Sequence, residues 1–136
     1  MTGWTVSEVT ALPPVSGGGP DDPVWYPLQH ALGIDTFGAN VFVAERAGQT
    51  LVEEHDERGS AQQELYLVTE GRAAFALDGE TLEADAGTAI AVTDPAVRRG
   101  ATALEPRTTL LVVGAGDGPF VSTWDPGHFA GIPRPG

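Results

Sequence analysis

Glycine and proline divide this chain so often that no long regular element fits between them. The 136 residues include 18 glycines and 11 prolines. Glycine favours turns because it adopts positive φ, and proline removes a backbone donor from helices and sheet ladders. The segments between them are short and rich in β-branched and apolar residues, which predicts an all-β domain of many brief strands.

Most of the predicted strands follow one another closely from residue 36 onward. The pair Asp78-Gly79 is the strongest turn signal, because a type I′ hairpin turn needs positive φ at both central residues. A first strand is also predicted at 4–9, and the sequence at 28–32 fits either one helical turn or an irregular strand. The segment 94–101 is predicted to be a connection. The other strands are predicted at 36–45, 49–55, 64–70, 72–78, 80–84, 87–93 and 107–114.

Composition excludes several classes of function. A net charge of −12 argues against binding to nucleic acid or to anionic membrane surfaces, since both are negatively charged. The absence of cysteine excludes disulfides, thiolate nucleophiles and cysteine-ligated zinc, and the absence of lysine excludes a lysine Schiff base. No apolar run approaches the ~18 residues of a membrane span, and the N-terminus lacks the basic start and apolar stretch of a secretory signal. We therefore predict a cytoplasmic protein.

The most specific pattern lies in the segment EEHDERGSAQQELY at 53–66. Glu64 stands near its end, and Gly71 follows Glu64 by seven positions. Further on, AGTAIAVTDPAVRRG at 86–100 combines a glycine-rich turn, a strand and a proline turn. These two segments resemble the first and second sequence motifs of the cupins. The first motif of that superfamily has two histidines one residue apart, then a glutamate, and a glycine seven positions after the glutamate.

The resemblance implies a fold and a division of the chain. It covers roughly residues 38 to 114 and is strongest to single-domain, conserved-barrel cupins with a degenerate metal motif. It implies an all-β, cupin-type jelly-roll β-barrel, also called a double-stranded β-helix. We predict a barrel core at 36–115, preceded at 1–35 by a strand, a Pro/Gly loop and a turn that pack on it. A Gly/Pro-rich tail follows at 116–136, and its Phe120, Trp124 and Phe129 are predicted to pack across the barrel or a partner.

The sequence departs from the cupin pattern at the metal ligands. Metal-binding cupins supply three histidines and one glutamate to a divalent metal, and only His55 and Glu64 have counterparts here. Glu57 stands nearest to the second histidine, in an H-x-E arrangement. One interpretation is therefore a metal site of His55, Glu57 and Glu64, which would hold one divalent ion such as Fe, Mn, Ni or Zn.

A second interpretation is a metal-free ligand pocket of His55, Glu64, Tyr66 and Arg98. Counting from the glycine-rich turn places Arg98 where the histidine of the second motif would stand, and arginine cannot ligate a cation. Arg98 is predicted to pair with Glu64 inside the barrel and to present donors to a carboxylate or phosphate. Arg99 is predicted to point the opposite way and to pair with surface acids. A third interpretation makes 53–62 a hydrated connection on which His55 is simply exposed.

Three functional hypotheses follow from these interpretations. In the first, the protein binds a small, anionic organic molecule, which Arg98 anchors while His55 supplies a hydrogen bond or a proton. In the second, it is a metal-dependent dioxygenase or isomerase acting on a small organic acid or sugar derivative. In the third, it is a metal-free epimerase with His55 as the general base, which makes His55 the best catalytic candidate. The resemblance also implies a homodimer.

Overall fold

The structure is a computed structural model that describes residues 3–15, 18–116, 127 and 130–131. The described residues form nine β-strands, one α-helix and a 3-10 turn at Val9–Ala11. The helix α1 spans Leu28–Leu32. The strands are β1 Val24–Tyr26, β2 Gly38–Val43, β3 Thr50–His55, β4 Gln63–Glu70, β5 Arg72–Leu77, β6 Glu80–Asp85, β7 Ala89–Val92, β8 Arg99–Ala103 and β9 Thr109–Ala115.

The strands form two antiparallel sheets packed face to face. The first sheet has the order β1-β2-β9-β4-β7, and the second has the order β3-β8-β5-β6. From β2 onward the chain crosses between the two sheets at most connections, and the strand order within each sheet is not the chain order. This arrangement is a jelly roll, which confirms the predicted all-β barrel.

The core lies between the inner faces of the two sheets. On β4 and β9, buried residues alternate with partly exposed ones, as a strand with one face in the core requires. Tyr66 and Phe75 pack edge to face across the core, with ring centroids 5.9 Å apart. Burying a side chain of this kind stabilises the fold by roughly 1.5–3 kcal/mol. The core cluster consists of Ala44, Leu51, Tyr66, Val68, Ala73, Phe75, Ala84, Val92, Ala101, Ala103, Leu110 and Val112.

The structure confirms one predicted turn and decides between the two alternatives left open at 28–32. Asp78 and Gly79 join β5 to β6 with φ values of 49° and 83°, as a type I′ turn requires. The segment 28–32 is helical, and Gly33 ends it in the left-handed conformation at a φ of 73°. The N–H of Gly33 donates to the carbonyls of Gln29 and His30. A residue with a side chain could adopt this left-handed conformation only at a steric cost.

Two predicted local structures are wrong. Residues 4–8 form no strand, and Trp4 and Val6 are 69% and 80% exposed, so the alternating pattern there does not match a sheet. The segment predicted as a connection contains the start of β8, whose residues 99–103 lie in the middle of the second sheet. Its small side chains carried little strand signal, but they allow β8 to fit closely between β3 and β5.

Some predictions are not tested by these residues. Phe120, Trp124 and Phe129 lie outside the described part of the chain. The division into segments 1–35, 36–115 and 116–136 stays a prediction. Among the described residues, no helix is long and apolar enough to span a membrane.

Candidate functional site

Strands β3 and β4 bring one histidine and two glutamates together at one end of the barrel. His55 ends β3, Glu57 follows it in the next loop, and Glu64 lies near the start of β4. The Nε2 atom of His55 is 3.0 Å from Oε1 of Glu57 and 3.9 Å from Oε1 of Glu64. One potential ligand atom from each residue lies within 4.8 Å of the other two. The three residues predicted as metal ligands therefore do meet.

The orientation of the His55 ring determines what can lie among these groups. Its Nδ1 atom is 2.8 Å from the backbone carbonyl of Glu53, which only accepts hydrogen bonds, so Nδ1 carries a hydrogen. Nε2 then faces the two carboxylates of Glu57 and Glu64. A lone pair directed at carboxylate oxygens is unfavourable unless a proton or a metal cation lies between them. One imidazole and two carboxylates are suitable ligands for a divalent cation, so this donor set fits one.

The loop after β3 holds Glu57 in place. The Ser60 hydroxyl donates a short hydrogen bond to Oε2 of Glu57. The backbone N–H of Glu57 donates to the carbonyl of Pro95 at 2.8 Å, which joins this loop to the one before β8. These two hydrogen bonds hold the backbone and the carboxylate of Glu57 in place, with Oε1 beside His55.

Glu64 occupies the centre of the cluster. The buried Tyr66 hydroxyl donates to its Oε1 at 2.6 Å. Gly114 lies directly opposite Glu64 on β9, and a Cβ atom at Gly114 would come within 3.3 Å of the Glu64 Cγ. The glycine on β9 therefore makes room for the glutamate side chain inside the barrel.

Arg99 supplies a buried positive charge beside this carboxylate. Its side chain is 1% exposed, and its Nη1 atom is 3.7 Å from Oε1 of Glu64, which is too long for a hydrogen bond. Nη2 donates a long hydrogen bond of 3.5 Å to the carbonyl of Asp94. Within the described part of the chain, Nε and Nη1 have no hydrogen-bond partner. Buried polar groups are nearly always hydrogen-bonded, so these two donors are available to a ligand or to water.

The predicted orientation of the two neighbouring arginines is therefore wrong. Arg98, which the sequence placed in the pocket, lies on the outer side with its side chain 56% exposed. Its Nε donates to Oε1 of Glu54 at 3.1 Å. Arg99, which the sequence placed outside, takes the interior position. A signal for this exists in the sequence, because Arg99 alternates with Ala101 and Ala103, and period-two alternation puts all three on one face.

Irregular pairing between β3 and β8 brings His55 to the same interior face. Thr50 pairs with Thr102, Val52 with Ala101, and His55 with Arg99, so two register shifts occur along β3. Each shift adds a residue to one strand and changes which side chains point inward. Gly100 permits this close fit, because a Cβ atom there would lie 3.2 Å from the Glu54 Cα.

His55 is not merely exposed on a hydrated connection. Residues 53–55 belong to β3, and only the segment that follows them is a loop. The His55 side chain is 38% exposed, with both ring nitrogens within hydrogen-bond distance of an acceptor. It lies where the polar cluster meets the solvent.

A cavity of about 540 Å³ borders the same histidine. It lies between β3 and the segment that leads into β1, and Trp25 and Phe42 form an aromatic wall with centroids 6.0 Å apart. Gln49 holds the covering loop, because its side-chain amide donates to the carbonyls of Pro20 and Asp22. The lining residues are Val15, Gly18, Asp22, Pro23, Trp25, Phe42, Thr50, Leu51, Val52, Glu53, Glu54 and His55.

Tyr66 makes the free energy of unfolding depend on pH. Burial, and then the hydrogen bond to Glu64, raise the pKa of Tyr66 well above its ordinary value. A group whose pKa is higher in the folded state stabilises that state below its unfolded pKa and loses this contribution as the pH rises. We expect the free energy of unfolding to fall above about pH 10, by up to ~1.4 kcal/mol per pH unit.

Urea unfolding at a series of pH values from about 8 to about 11 measures this slope. Tyr66→Phe is the matched control, because it keeps the ring against Phe75 and removes the titrating hydroxyl. The slope assigned to Tyr66 is the difference between the two proteins. Identical slopes in the wild type and in Tyr66→Phe would show that Tyr66 does not titrate on unfolding as described.

Comparison with known proteins identifies the fold. No protein-family model matches the sequence, and no curated protein matches it. Among solved structures, a cupin protein from Bacteroides fragilis superposes with a TM-score of 0.69 at 18% identity, over 98% of this chain and 99% of that one. Near-complete coverage of both chains shows that this protein has the cupin fold.

Two other solved structures match smaller parts of the chain. A sugar phosphate isomerase of the cupin superfamily from Silicibacter pomeroyi has a TM-score of 0.59 and 23% identity, over 71% of this chain and 61% of that one. KdgF from a Halomonas species has a TM-score of 0.52 and 23% identity, over 60% of this chain and 70% of that one. At these identities the likeness shows the fold alone.

Proposed function

We propose that this protein binds a small organic anion beside Arg99, with His55 as the neighbouring proton donor or acceptor. One observation supports this above all. A guanidinium group that is 1% exposed keeps two nitrogens without a hydrogen-bond partner in the described part of the chain, next to Glu64 and Tyr66. A carboxylate or phosphate oxygen is the acceptor that guanidinium binds best.

The charges of the cluster disfavour a ligand with more than one negatively charged group. Glu57 and Glu64 contribute two negative charges and Arg99 one positive charge, so the three sum to −1. A proton on His55 brings the net charge of the cluster to zero. The charge of Arg99 is then balanced, while its Nε and Nη1 still have no hydrogen-bond partner in the described part of the chain. A ligand carboxylate gains hydrogen bonds from these donors, whereas a second charged group on the ligand would meet the surrounding acids.

The aromatic cavity suits the rest of such a ligand. Ligand sites are mostly apolar with a few convergent polar groups, and the wall of Trp25, Phe42 and Val52 has this character. His55 lies both in the cluster and in the cavity lining. We therefore propose a ligand whose anionic end meets Arg99 and whose apolar body lies near Trp25.

A calorimetric screen of the metal-free protein tests this function. The probes are acetate, benzoate and inorganic phosphate, with a neutral analogue, benzamide, as the control. We expect benzoate to bind with a dissociation constant below ~1 mM, which corresponds to about −4 kcal/mol, and benzamide to bind far more weakly. Equal binding of benzoate and benzamide, or no binding of any anion, would contradict the proposal.

A second candidate function is a metal-dependent enzyme, a dioxygenase or an isomerase. The observation that favours it is the His55, Glu57 and Glu64 donor set. These three residues would hold a divalent ion, which when bound supplies electrophilic stabilisation of negative charge on a substrate oxygen. Tyr66 would hold the Glu64 carboxylate in place, and the positive charge of Arg99 would weaken metal affinity while attracting an anionic substrate.

Metal content distinguishes this second candidate from the first. Protein loaded with Fe, Mn, Ni or Zn and then passed through a desalting column should retain close to one equivalent of one of these metals. His55→Ala should lose it, whereas His30→Ala should keep it, because His30 is an exposed histidine on α1. Retention well below one equivalent in the wild type would exclude the metal site and leave anion binding by Arg99 untouched.

The quaternary structure and compartment complete the proposal. We propose that the protein acts as a homodimer, in line with the resemblance to cupins, and that it works in the cytoplasm. The sugar phosphate isomerase from Silicibacter pomeroyi makes sugar phosphates a sensible second set of probes after simple carboxylates. The acids around Arg99 favour a ligand with a single charge over a phosphate dianion.

A further inference from the structure

Asn40 places a polar side chain on the inner face of the five-stranded sheet. It pairs with Val112 on β9, and Val112 pairs with Tyr66 on β4. Residues directly opposite each other in antiparallel strands share a face, so Asn40 points into the barrel together with the buried Val112 and Tyr66. The residue is half-buried there. The cluster of His55, Glu57 and Glu64 makes no use of its amide group.

Trp25 fixes the orientation of the Asn40 amide. The indole Nε1 of Trp25 donates to Oδ1 of Asn40 at 2.7 Å. An indole N–H is only a donor, so the amide atom that it contacts must be the oxygen. The amide nitrogen Nδ2 then points away from the indole and offers two donors. Within the described part of the chain, Nδ2 makes no hydrogen bond.

The needs of Trp25 do not explain this contact. Trp25 is 39% exposed, so it is not sealed away from water and does not require a buried partner. Asn40 is not needed for packing either, because an apolar side chain on this inner face would stabilise the fold more than a half-buried amide does. The arrangement is therefore best explained by what Nδ2 can bind.

Asn40 lies between the aromatic wall and the row of Glu64. On β2, Phe42 and Gly38 are each two residues away from Asn40 on opposite sides, so all three face the barrel interior. Gly38 pairs with Gly114, which in turn pairs with Glu64. A Cβ atom at Gly38 would have one described contact within 4 Å beyond its chain neighbours, the carbonyl oxygen of Gly114 at 3.6 Å. A strand with glycine here leaves room for a ligand between Asn40 and the row of Glu64.

We infer that Asn40 is a specificity-determining residue, whose Nδ2 donates a hydrogen bond to an uncharged oxygen on the body of the ligand. The inference rests on the proposed function and narrows its ligand class to organic anions that also carry a carbonyl or ether oxygen. Asn40 and Tyr66 are two strand spacings apart, about 10 Å, so this oxygen lies at the far end of the ligand from its anionic group. Trp25 is a positioning residue, because it turns the donors of Asn40 and not its acceptor toward the ligand.

Calorimetric titration of the full chain with two matched anions tests the inference. The probes are acetylbenzoate and isopropylbenzoate, which have the same carboxylate and substituents of similar shape. The acetyl oxygen accepts a hydrogen bond, whereas the isopropyl group neither accepts nor donates one. Both probes are used as the 3- and 4-substituted isomers, and the isomer pair with the larger preference for acetyl is followed. The measured quantity is the affinity for acetylbenzoate divided by that for isopropylbenzoate, here called the acetyl preference.

Asn40→Leu removes the amide and keeps a side chain of similar size. We expect the acetyl preference to fall by about threefold or more, which is the effect of one hydrogen bond between uncharged groups. Gln63→Leu is the matched control, because it removes an amide at an exposed position of β4 that donates to the Thr93 carbonyl, and it should leave the acetyl preference unchanged. If Asn40→Leu fails to fold, Asn40→Asp replaces it, because aspartate still accepts from the Trp25 indole but has no N–H donors.

The outcomes separate this inference from the proposed function. If neither anion binds the wild type, the proposed function fails and the inference fails with it. If both bind and the acetyl preference changes by less than about threefold in Asn40→Leu, the proposed function stands and the role of Asn40 is overturned. Trp25→Phe tests the positioning role: lost apolar contact weakens both probes equally, whereas lost orientation of Asn40 lowers the acetyl preference. An unchanged acetyl preference in Trp25→Phe would overturn that role.

Discussion

Arg99→Met is expected to lower the affinity for benzoate by a hundredfold or more. Hydrogen bonds to charged groups contribute about 1.5–3 kcal/mol each, and a loss of ~2.7 kcal/mol corresponds to a hundredfold change in affinity. Methionine fills much of the volume of the arginine stem without a charge or a donor. Calorimetric titration of the variant beside the wild type measures the change.

Arg98→Met is the matched control. Arg98 is the adjacent residue of the same type, and its ion pair with Glu54 is exposed to solvent on both sides. Exposed pairs of this kind contribute about 0–1 kcal/mol, so neither the affinity nor the stability should change much. If Arg98→Met instead lost benzoate binding and Arg99→Met kept it, the orientation predicted from the sequence would be right and the site described here wrong.

The stability of Arg99→Met must be measured so that lost binding is not mistaken for unfolding. Removing one member of a buried pair leaves the other charge without its partner, here the Glu64 carboxylate. The same substitution removes two buried donors without partners, which offsets part of this cost. Arg99→Met with Glu64→Gln removes both charges and should recover stability without recovering benzoate binding.

Much of the fold could be predicted because its signals are local. The frequent glycines and prolines indicated short strands. Asp78-Gly79 is a residue pair that readily adopts the positive φ values of a type I′ turn, and it does so here. Glu64 and Tyr66, which were predicted to share a pocket, do lie side by side, because β4 is regular over that stretch and alternation holds. Local sequence signals were sufficient to predict the structure wherever the strand pairing is regular.

The site was harder to predict because long-range pairing decides it. The register shifts in β3 depend on contact with β8, and no local pattern in residues 50–55 reveals them. The start of β8, at 99–101, was predicted as part of the connection 94–101 because alanine and glycine give little strand signal. The reverse happened at 4–9, where the alternation typical of a strand exists without a neighbouring strand in the described sheets.

Gly71→Ala is expected to destabilise the fold by about 2–5 kcal/mol. Gly71 has a φ of 76°, where a side chain costs roughly 1–2 kcal/mol. An added Cβ would also collide with the Thr108 hydroxyl and lie 2.8 Å from the Thr108 Cα. Thr108 is fully buried, and its single hydroxyl proton has the carbonyls of Glu105 at 2.8 Å and Arg72 at 3.0 Å as acceptors, so it cannot move aside cheaply.

Gly87→Ala separates the two contributions to this cost. Gly87 has a φ of 92° but no atom within 4 Å of an added Cβ, so only the backbone term of about 1–2 kcal/mol should be lost. Urea unfolding of both variants gives the difference, which measures the contact with Thr108. Equal losses would mean that the backbone around Thr108 relaxes freely. A larger loss for Gly71→Ala would mean that the glycine seven positions after Glu64 is required for packing. The match to the cupin motif at that glycine would then be evidence of shared architecture, and evidence of shared chemistry would have to come from His55, Glu64 and Arg99.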